Sequence, residues 1–195
     1  YKQMPLDENF RLKIDDYKGE NGGIVFPNPN APTGIYESLD HVEEIIKNNP
    51  DVIVIVDEAY IDFGGETALP LIDKYDNLVV VRTFSKSRSM AGLRIGYAIS
   101  NPELIKALND VKYSYNSYTM NRPSLVLGVE SIHDDAYFRE KVGQIIATRE
   151  RFVKEIAELG FTCLPSSANF VFATHESIPA KEIFAAAKEN NIYVR

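Results

Sequence analysis

The chain has 195 residues, 45% of them hydrophobic and 25% charged, with a formal net charge of -7 at pH 7. That length supports one domain with a real core, or one domain plus part of another. The acidic balance argues against a nucleic-acid backbone or an anionic membrane as main partner, because both need concentrated positive charge, whereas a small phosphate needs only a few local donors.

Tyr1 to Phe10 carries no charged-then-apolar leader pattern. The chain opens without Met, and Ile192-Tyr193-Val194-Arg195 at its end reads as the start of a strand, so both ends are expected to be those of a fragment. Gly22-Gly23 precedes a short apolar strand, Ile24-Val25-Phe26. The segment Pro27-Asn28-Pro29-Asn30-Ala31-Pro32-Thr33-Gly34 follows, which neither a helix nor a sheet interior accepts. Leu39, Val42, Ile45 and Ile46 recur at helical spacing within 37–49, with Ser38 as cap. Pro50-Asp51 breaks that helix, and Val52 to Val56 is a continuous, largely β-branched strand. A short helix is expected over 69–75, a strand over 78–81 and another over 96–99. Strands apolar throughout imply burial on both faces, and an intervening helix implies a parallel crossover. The first half therefore reads as α/β, a three-layer, mostly parallel sheet.

From Pro102 the character changes. A helix starts there, and Tyr113 to Tyr118 is a polar aromatic break that suits core packing, a site lining or a subunit contact. Helices follow over 121–133 and 134–159, the second highly charged and stopped by Gly160. A strand over 161–164, another over 169–173 and a helix over 179–190 begin a smaller α+β unit. The expected division is 1–133 for the larger domain, 134–159 for an interdomain helix and 160–195 for the start of the smaller domain. Cys163 is the single cysteine, which excludes an intrachain disulfide and fits a reducing cytoplasm. It reads as a small core residue. His41, His133 and His175 have no mutual spacing for a metal. No apolar run is long enough to span a bilayer.

In open α/β sheets, ligands bind outside the carboxyl ends of the strands. Asn28 and Asn30, Asp57 and Tyr60, and Ser85 and Lys86 each lie just after a strand, so three polar groups share one rim. A lysine that ends a buried strand beside hydroxyls, with Arg94 eight residues on, is poor surface design and good design for an amine that forms a Schiff base next to a bound phosphate. A pyridoxal-phosphate pocket needs such a lysine. It also needs a carboxylate for the pyridine nitrogen, a donor to the ring oxygen, and an arginine with hydroxyls for the phosphate. Lys86, Asp57, Tyr60, Arg94, Ser85 and Thr83 supply these types. Each alone would be a surface charge or a turn residue; the combination in this order carries the reading.

Asn28-Pro29-x-x-Pro32-Thr33-Gly34, Asp57-Glu58-Ala59-Tyr60 and Ser85-Lys86, followed by Ala91-Gly92-Leu93-Arg94-x-Gly96-Tyr97, resemble the fold-type I aminotransferases. Asp57 to Phe63, Arg82 to Lys86 and Ser167-Ala168-Asn169-Phe170-Val171 are most similar to the histidinol-phosphate aminotransferases within that family. The resemblance implies pyridoxal 5′-phosphate as cofactor and a homodimer. The implied reaction, in histidine biosynthesis, is transamination between an amino-acid phosphate, histidinol phosphate, and a 2-oxo acid, 2-oxoglutarate. It gives Lys86 the Schiff base and the proton shuttle, Asp57 the pyridinium nitrogen, Tyr60 the ring oxygen, and Thr83, Ser85 and Arg94 the phosphate. The family's Asn before Pro-Thr-Gly is Ala31 here, which leaves Asn30, or Tyr60 alone, to serve the ring oxygen. The ring-stacking aromatic and the substrate-carboxylate arginine have no counterpart in these residues. A threonine-phosphate decarboxylase shares the same cofactor residues, and a ligand-sensing regulator is a third reading. The chain has neither Gly-x-Gly-x-x-Gly nor a phosphate-loop Gly-Lys-Ser/Thr after a strand.

Overall fold

A computed structural model describes residues 1–195. Strands β1 (Ile24–Pro27), β2 (Val54–Asp57), β3 (Leu78–Thr83) and β4 (Gly96–Ile99) form one sheet in that spatial order. The first three are parallel, with Ile24 beside Val54 and Val54 beside Leu78, and β4 runs antiparallel to β3. Helix α1 (Leu39–Lys47) is the crossover between β1 and β2. Its start is fixed by Ser38, whose hydroxyl accepts from the His41 amide at 3.4 Å. Asn49 closes its far end by donating to Ile45 O at 2.8 Å and Tyr17 O at 2.9 Å.

The core lies between α1 and one face of the sheet. Val42, Ile45 and Ile46 from the helix meet Ile24, Phe26, Val54, Val56, Leu78 and Val80. Complete burial of each such apolar side chain contributes about 1.5–3 kcal/mol relative to exposure, so these nine dominate the stability of this half. On the other face Val79 of β3 is buried, as expected, but β1 departs from the expected two-sided burial. Val25 is 68% exposed there, because no helix of this chain closes over β1 on that side. Between β2 and β3, the helix expected over 69–75 is a single 3₁₀ turn, Leu69–Leu71. The backbone beyond it continues only as turns, in which the Lys74 and Tyr75 amides both return to Leu71 O at 3.0 Å.

Beyond the sheet come α2 (Pro102–Tyr115), α3 (Arg122–His133) and α4 (Asp135–Ala157). Asn101 and Asn121 cap the first two through their side-chain oxygens. Helix α2 runs through Tyr113 and Tyr115, and Tyr115 and Tyr118 are each 92% exposed, which removes the core-packing reading of this cluster. Strands β5 (Phe161–Cys163) and β6 (Ala173–His175) pair antiparallel, and α5 (Ala180–Glu189) follows. The sequence places that second strand over 169–173. It starts later because the carbonyls of Ala168 and Phe170 accept from Arg149 and the Ser166 hydroxyl instead of a ladder. Cys163 is half-buried, not a core residue, and burial pushes its thiol up. Residues 192–195 form no strand; Asn191 turns left-handed (φ 60°) and the Ile192 amide closes α5 on Ala187 O at 2.9 Å. No helix is long and apolar enough to cross a membrane, and no group of three or more His, Cys, Asp or Glu residues is arranged to hold a metal.

Candidate cofactor-binding site

The carboxyl ends of the parallel strands bring the candidate residues to one rim. Pro27 pairs with Asp57 and Asp57 with Val81, so the ends of β1, β2 and β3 stand at neighbouring-strand spacing, about 4.8 Å from one to the next. The backbone carries on past the strand ends: the Asn28 amide donates to Asp57 O at 2.8 Å and the Glu58 amide to Val81 O at 2.9 Å. Asp57 is half-buried, and its carboxylate accepts from the Ala59 amide at 3.0 Å, which orients it at the strand end.

Lys86 and Tyr60 meet directly. The Lys86 ammonium lies 5.0 Å from the centre of the Tyr60 ring, and Phe170 packs edge-on against the same ring at 5.1 Å. Lys86 forms no ion pair, and the Ser85 hydroxyl has no protein partner; the Ser85 amide donates to Thr83 Oγ1 at 3.0 Å. Thr83 is more committed than the sequence suggests. Its hydroxyl also donates to Ile95 O at 3.2 Å, across the β3–β4 pair. Arg94 adopts a left-handed conformation (φ 56°, ψ 41°) two residues before β4, and its exposed guanidinium donates only to Ala91 O at 2.9 Å. Arg94 therefore leads into the strand that pairs with Thr83, without a carboxylate to neutralise it.

Asn28 and Asn30 part ways. Asn28 is 2% exposed and structural: its amide nitrogen donates to Glu37 O at 2.9 Å and its oxygen accepts from the Glu37 amide at 2.8 Å. Asn30 turns its side-chain oxygen onto the Thr33 hydroxyl at 2.8 Å, so that oxygen holds the Pro-rich turn together. Its amide nitrogen remains without a protein partner. Pro27 and Asn30 wall a cleft of about 1360 Å³ along β1, and Ser89, Arg149, Asn169 and Phe170 wall another of about 600 Å³ beside α4. Lys86, Asp57 and Tyr60 line neither.

Several residues that support the rim were not singled out for a role by the sequence. Glu58 is 3% exposed and collects four donors in five contacts: Arg82 Nε at 3.0 Å and Nη2 at 2.8 Å, the Thr67 hydroxyl at 2.8 and 3.1 Å to its two oxygens, and the Ala68 amide at 2.6 Å. Burial works to lower the Arg82 guanidinium; the hydrogen bond and charge of Glu58 outweigh it and hold its pKa above the ordinary value. Strand alternation was the available signal, since adjacent residues face opposite sides: if Asp57 serves the rim, Glu58 points the other way, and Arg82 follows β3's apolar run. Arg149 left no such signal. It donates to Phe63 O at 3.0 Å and Ala168 O at 2.8 Å, tying α4 to both the rim turn and the 166–170 segment.

The residues fit a phosphorylated pyridine aldehyde. Two cations without carboxylate partners, a free hydroxyl and an oriented carboxylate stand around one strand-end rim, a donor set that matches an anion, an aldehyde and a ring nitrogen.

The profile of the family described as "Aminotransferase class I and II" matches residues 2–195. A histidinol-phosphate aminotransferase of Clostridium botulinum is 50% identical over 195 residues, covering 100% of this chain and 55% of its own. The crystal structure of the histidinol-phosphate aminotransferase from Clostridium acetobutylicum superposes with a TM-score of 0.88 at 27% identity, over 97% of this chain and 59% of that one. The enzyme from Sinorhizobium meliloti, solved in complex with pyridoxal-5′-phosphate, gives 0.88 at 25% identity, over 100% of this chain and 55% of that one. The chain spans about half the length of the curated relatives it matches.

Proposed function

Because the chain belongs to the class I and II aminotransferases, we propose that it carries the cofactor-holding part of an enzyme that transfers an amino group between histidinol phosphate and 2-oxoglutarate in histidine biosynthesis. The 50% identity to histidinol-phosphate aminotransferases over the whole chain supports that substrate choice. The observation that carries the chemistry is the Lys86 ammonium over the Tyr60 ring, with Asp57 on the adjoining strand end and Arg94 leading into β4.

Pyridoxal 5′-phosphate, when bound, supplies a ring that accepts the electron pair released when the substrate's α-proton leaves. Lys86 would hold the cofactor's aldehyde carbon and would move the proton from the substrate α-carbon to that carbon. Asp57 keeps the ring nitrogen protonated, with its own orientation fixed by the Ala59 amide. The Tyr60 phenol donates to the ring oxygen, and Asn30 offers its free amide nitrogen as a second donor there. Ser85 and Arg94 hold the phosphate directly. Thr83, whose proton is given to Ile95 O, contributes by fixing the Ser85 amide.

We also propose the division suggested by the sequence: a larger unit over 1–133, a joining helix over 134–159 and a smaller unit from 160. Two separate sheets with α4 between them support it. A homodimer in the cytoplasm, without nucleic-acid or membrane partners, completes the proposal. An apolar face left open on α3 supports the dimer.

The test uses the full-length protein. Added pyridoxal phosphate gives a visible absorption band, and borohydride fixes the cofactor on Lys86 in a peptide map; fixation on another lysine overturns the assignment. Asp57→Asn still binds cofactor but transaminates several orders of magnitude more slowly, since the lost pairing contributes about 3–6 kcal/mol at the transition state. Near-normal turnover in that variant makes Asp57 a plain strand-end carboxylate.

A further inference from the structure

The rim holds one contact that the roles above do not use. Ser87, the residue after Lys86, donates its hydroxyl to Asp62 Oδ2 at 2.5 Å. Ser87 is 4% exposed, so water has little access to replace that bond. Asp62 belongs to the 3₁₀ turn Ile61–Phe63, which follows directly on Tyr60 and returns the Phe63 amide to Tyr60 O at 3.0 Å. The two segments therefore touch at two successive places: Lys86 over the Tyr60 ring, and Ser87 on Asp62.

A single contact between two loops leaves them free to pivot. A second contact, offset by one or two residues, removes that pivot. We propose that Asp62 and Ser87 are positioning residues that clamp the Lys86 loop to the Tyr60 turn and so set where the Lys86 amine meets the cofactor's aldehyde carbon. The inference rests on the reading of Lys86 given above and deepens it.

Each segment is anchored beyond the clamp, so the clamp sets the distance between two fixed bodies. On the lysine side, Arg88 donates to Ser131 O and lies over the Phe138 ring at 4.1 Å, while the Met90 amide returns to Phe84 O at 3.0 Å. On the tyrosine side, Ile61 and Phe63 are buried and Phe63 O accepts from Arg149 at 3.0 Å. Neither Asp62 nor Ser87 is assigned a contact with the cofactor. Their effect passes through Lys86.

The experiment compares full-length wild type with Ser87→Ala, Asp62→Ala, Asp62→Asn and the double Ala variant. Three quantities are read: the melting temperature without cofactor, the pyridoxal-phosphate dissociation constant from the visible band, and the rate of borohydride fixation on Lys86. Each single Ala change raises the dissociation constant about tenfold, the scale of one hydrogen bond to a charged group. The double variant is no worse than a single one, because both remove the same bond. Asp62→Asn, whose side-chain oxygen still accepts, stays nearer to wild type than to Asp62→Ala. Unchanged dissociation constants and fixation rates in folded Ala variants overturn the clamp, even if their melting temperatures fall, since that pattern is a purely structural role. Additive losses in the double variant overturn it too. If Ser87→Ala does not fold, Asp62→Asn set against Ser87→Cys, a weaker donor of similar size, decides by the same constants. A wild type without the visible band overturns the reading of Lys86 and the clamp with it, whereas a normal wild type beside unaffected variants overturns the clamp alone.

Discussion

Asp57 and Glu58 are neighbours with opposite environments. Asp57 faces the rim with one backbone donor, while Glu58 is sealed beneath it by Arg82, Thr67 and the Ala68 amide. The pair Glu58–Arg82 is the more costly to break. Replacing a buried carboxylate that satisfies four donors leaves a guanidinium, 18% exposed, without its partner. Glu58→Gln therefore lowers stability by about 3 kcal/mol, the lower end for a disrupted buried ion pair, as measured by denaturant unfolding of the full-length protein. A loss below about 1 kcal/mol, the range of exposed pairs, makes the network no more than a surface bridge.

At the scale of elements, the Pro-rich turn after β1 and the 166–170 segment determine each other. Gly34 has φ +79°, and a Cβ added there meets Ser166 Oγ at 2.5 Å and Ser166 Cα at 3.2 Å. Ser166 cannot swing aside freely, since its hydroxyl donates to Phe170 O at 2.6 Å and accepts from the Ala168 amide at 3.1 Å. The Ser167 amide also donates to Gly34 O at 2.8 Å. Gly34→Ala thus combines backbone strain of about 1–3 kcal/mol with a clash. It lowers the melting temperature and speeds hydrogen exchange of the Ser167 amide. Retained protection of that amide shows that the two segments stay paired and absorb the added methyl, which overturns this coupling. The same contact seats Phe170 against Tyr60, so the strain is expected to reach the rim.

Over the whole molecule, the open apolar surface is the feature on which the proposed dimer rests. Leu125, Val129 and Ile132 recur at helical spacing on α3 and are 48%, 51% and 54% exposed, and Leu108, Val111 and Tyr115 repeat the pattern on α2. Such a stripe marks an interaction surface. These 195 residues expressed alone associate in a concentration-dependent way in sedimentation, and Val129→Glu with Ile132→Glu suppresses it; a monomer at all concentrations overturns this. Much of the molecule is legible in the sequence because its signals are local. The apolar runs at 24–26, 52–56 and 78–81, the caps Ser38 and Asn101, and the stop at Gly160 depend on neighbouring residues alone. The strand-end position of Asp57, Tyr60, Ser85 and Lys86 follows from element order. What depends on distant pairing was not legible. The sequence contains Arg149 and Ala168 but not the approach that joins them. It contains Asp62 and Ser87, twenty-five residues apart, but not the hydrogen bond between them. It suggests two-sided burial for β1 because hydrophobicity reports preference for an interior, whereas only packing decides which apolar side chains find one; hence Val25 lies open while Ile24 and Phe26 are buried. Local chemistry determined which residues could act and where the apolar strands of the first sheet lie. The tertiary structure decided which of them meet, because contacts between remote segments are set by the relative placement of whole elements, which no local pattern encodes.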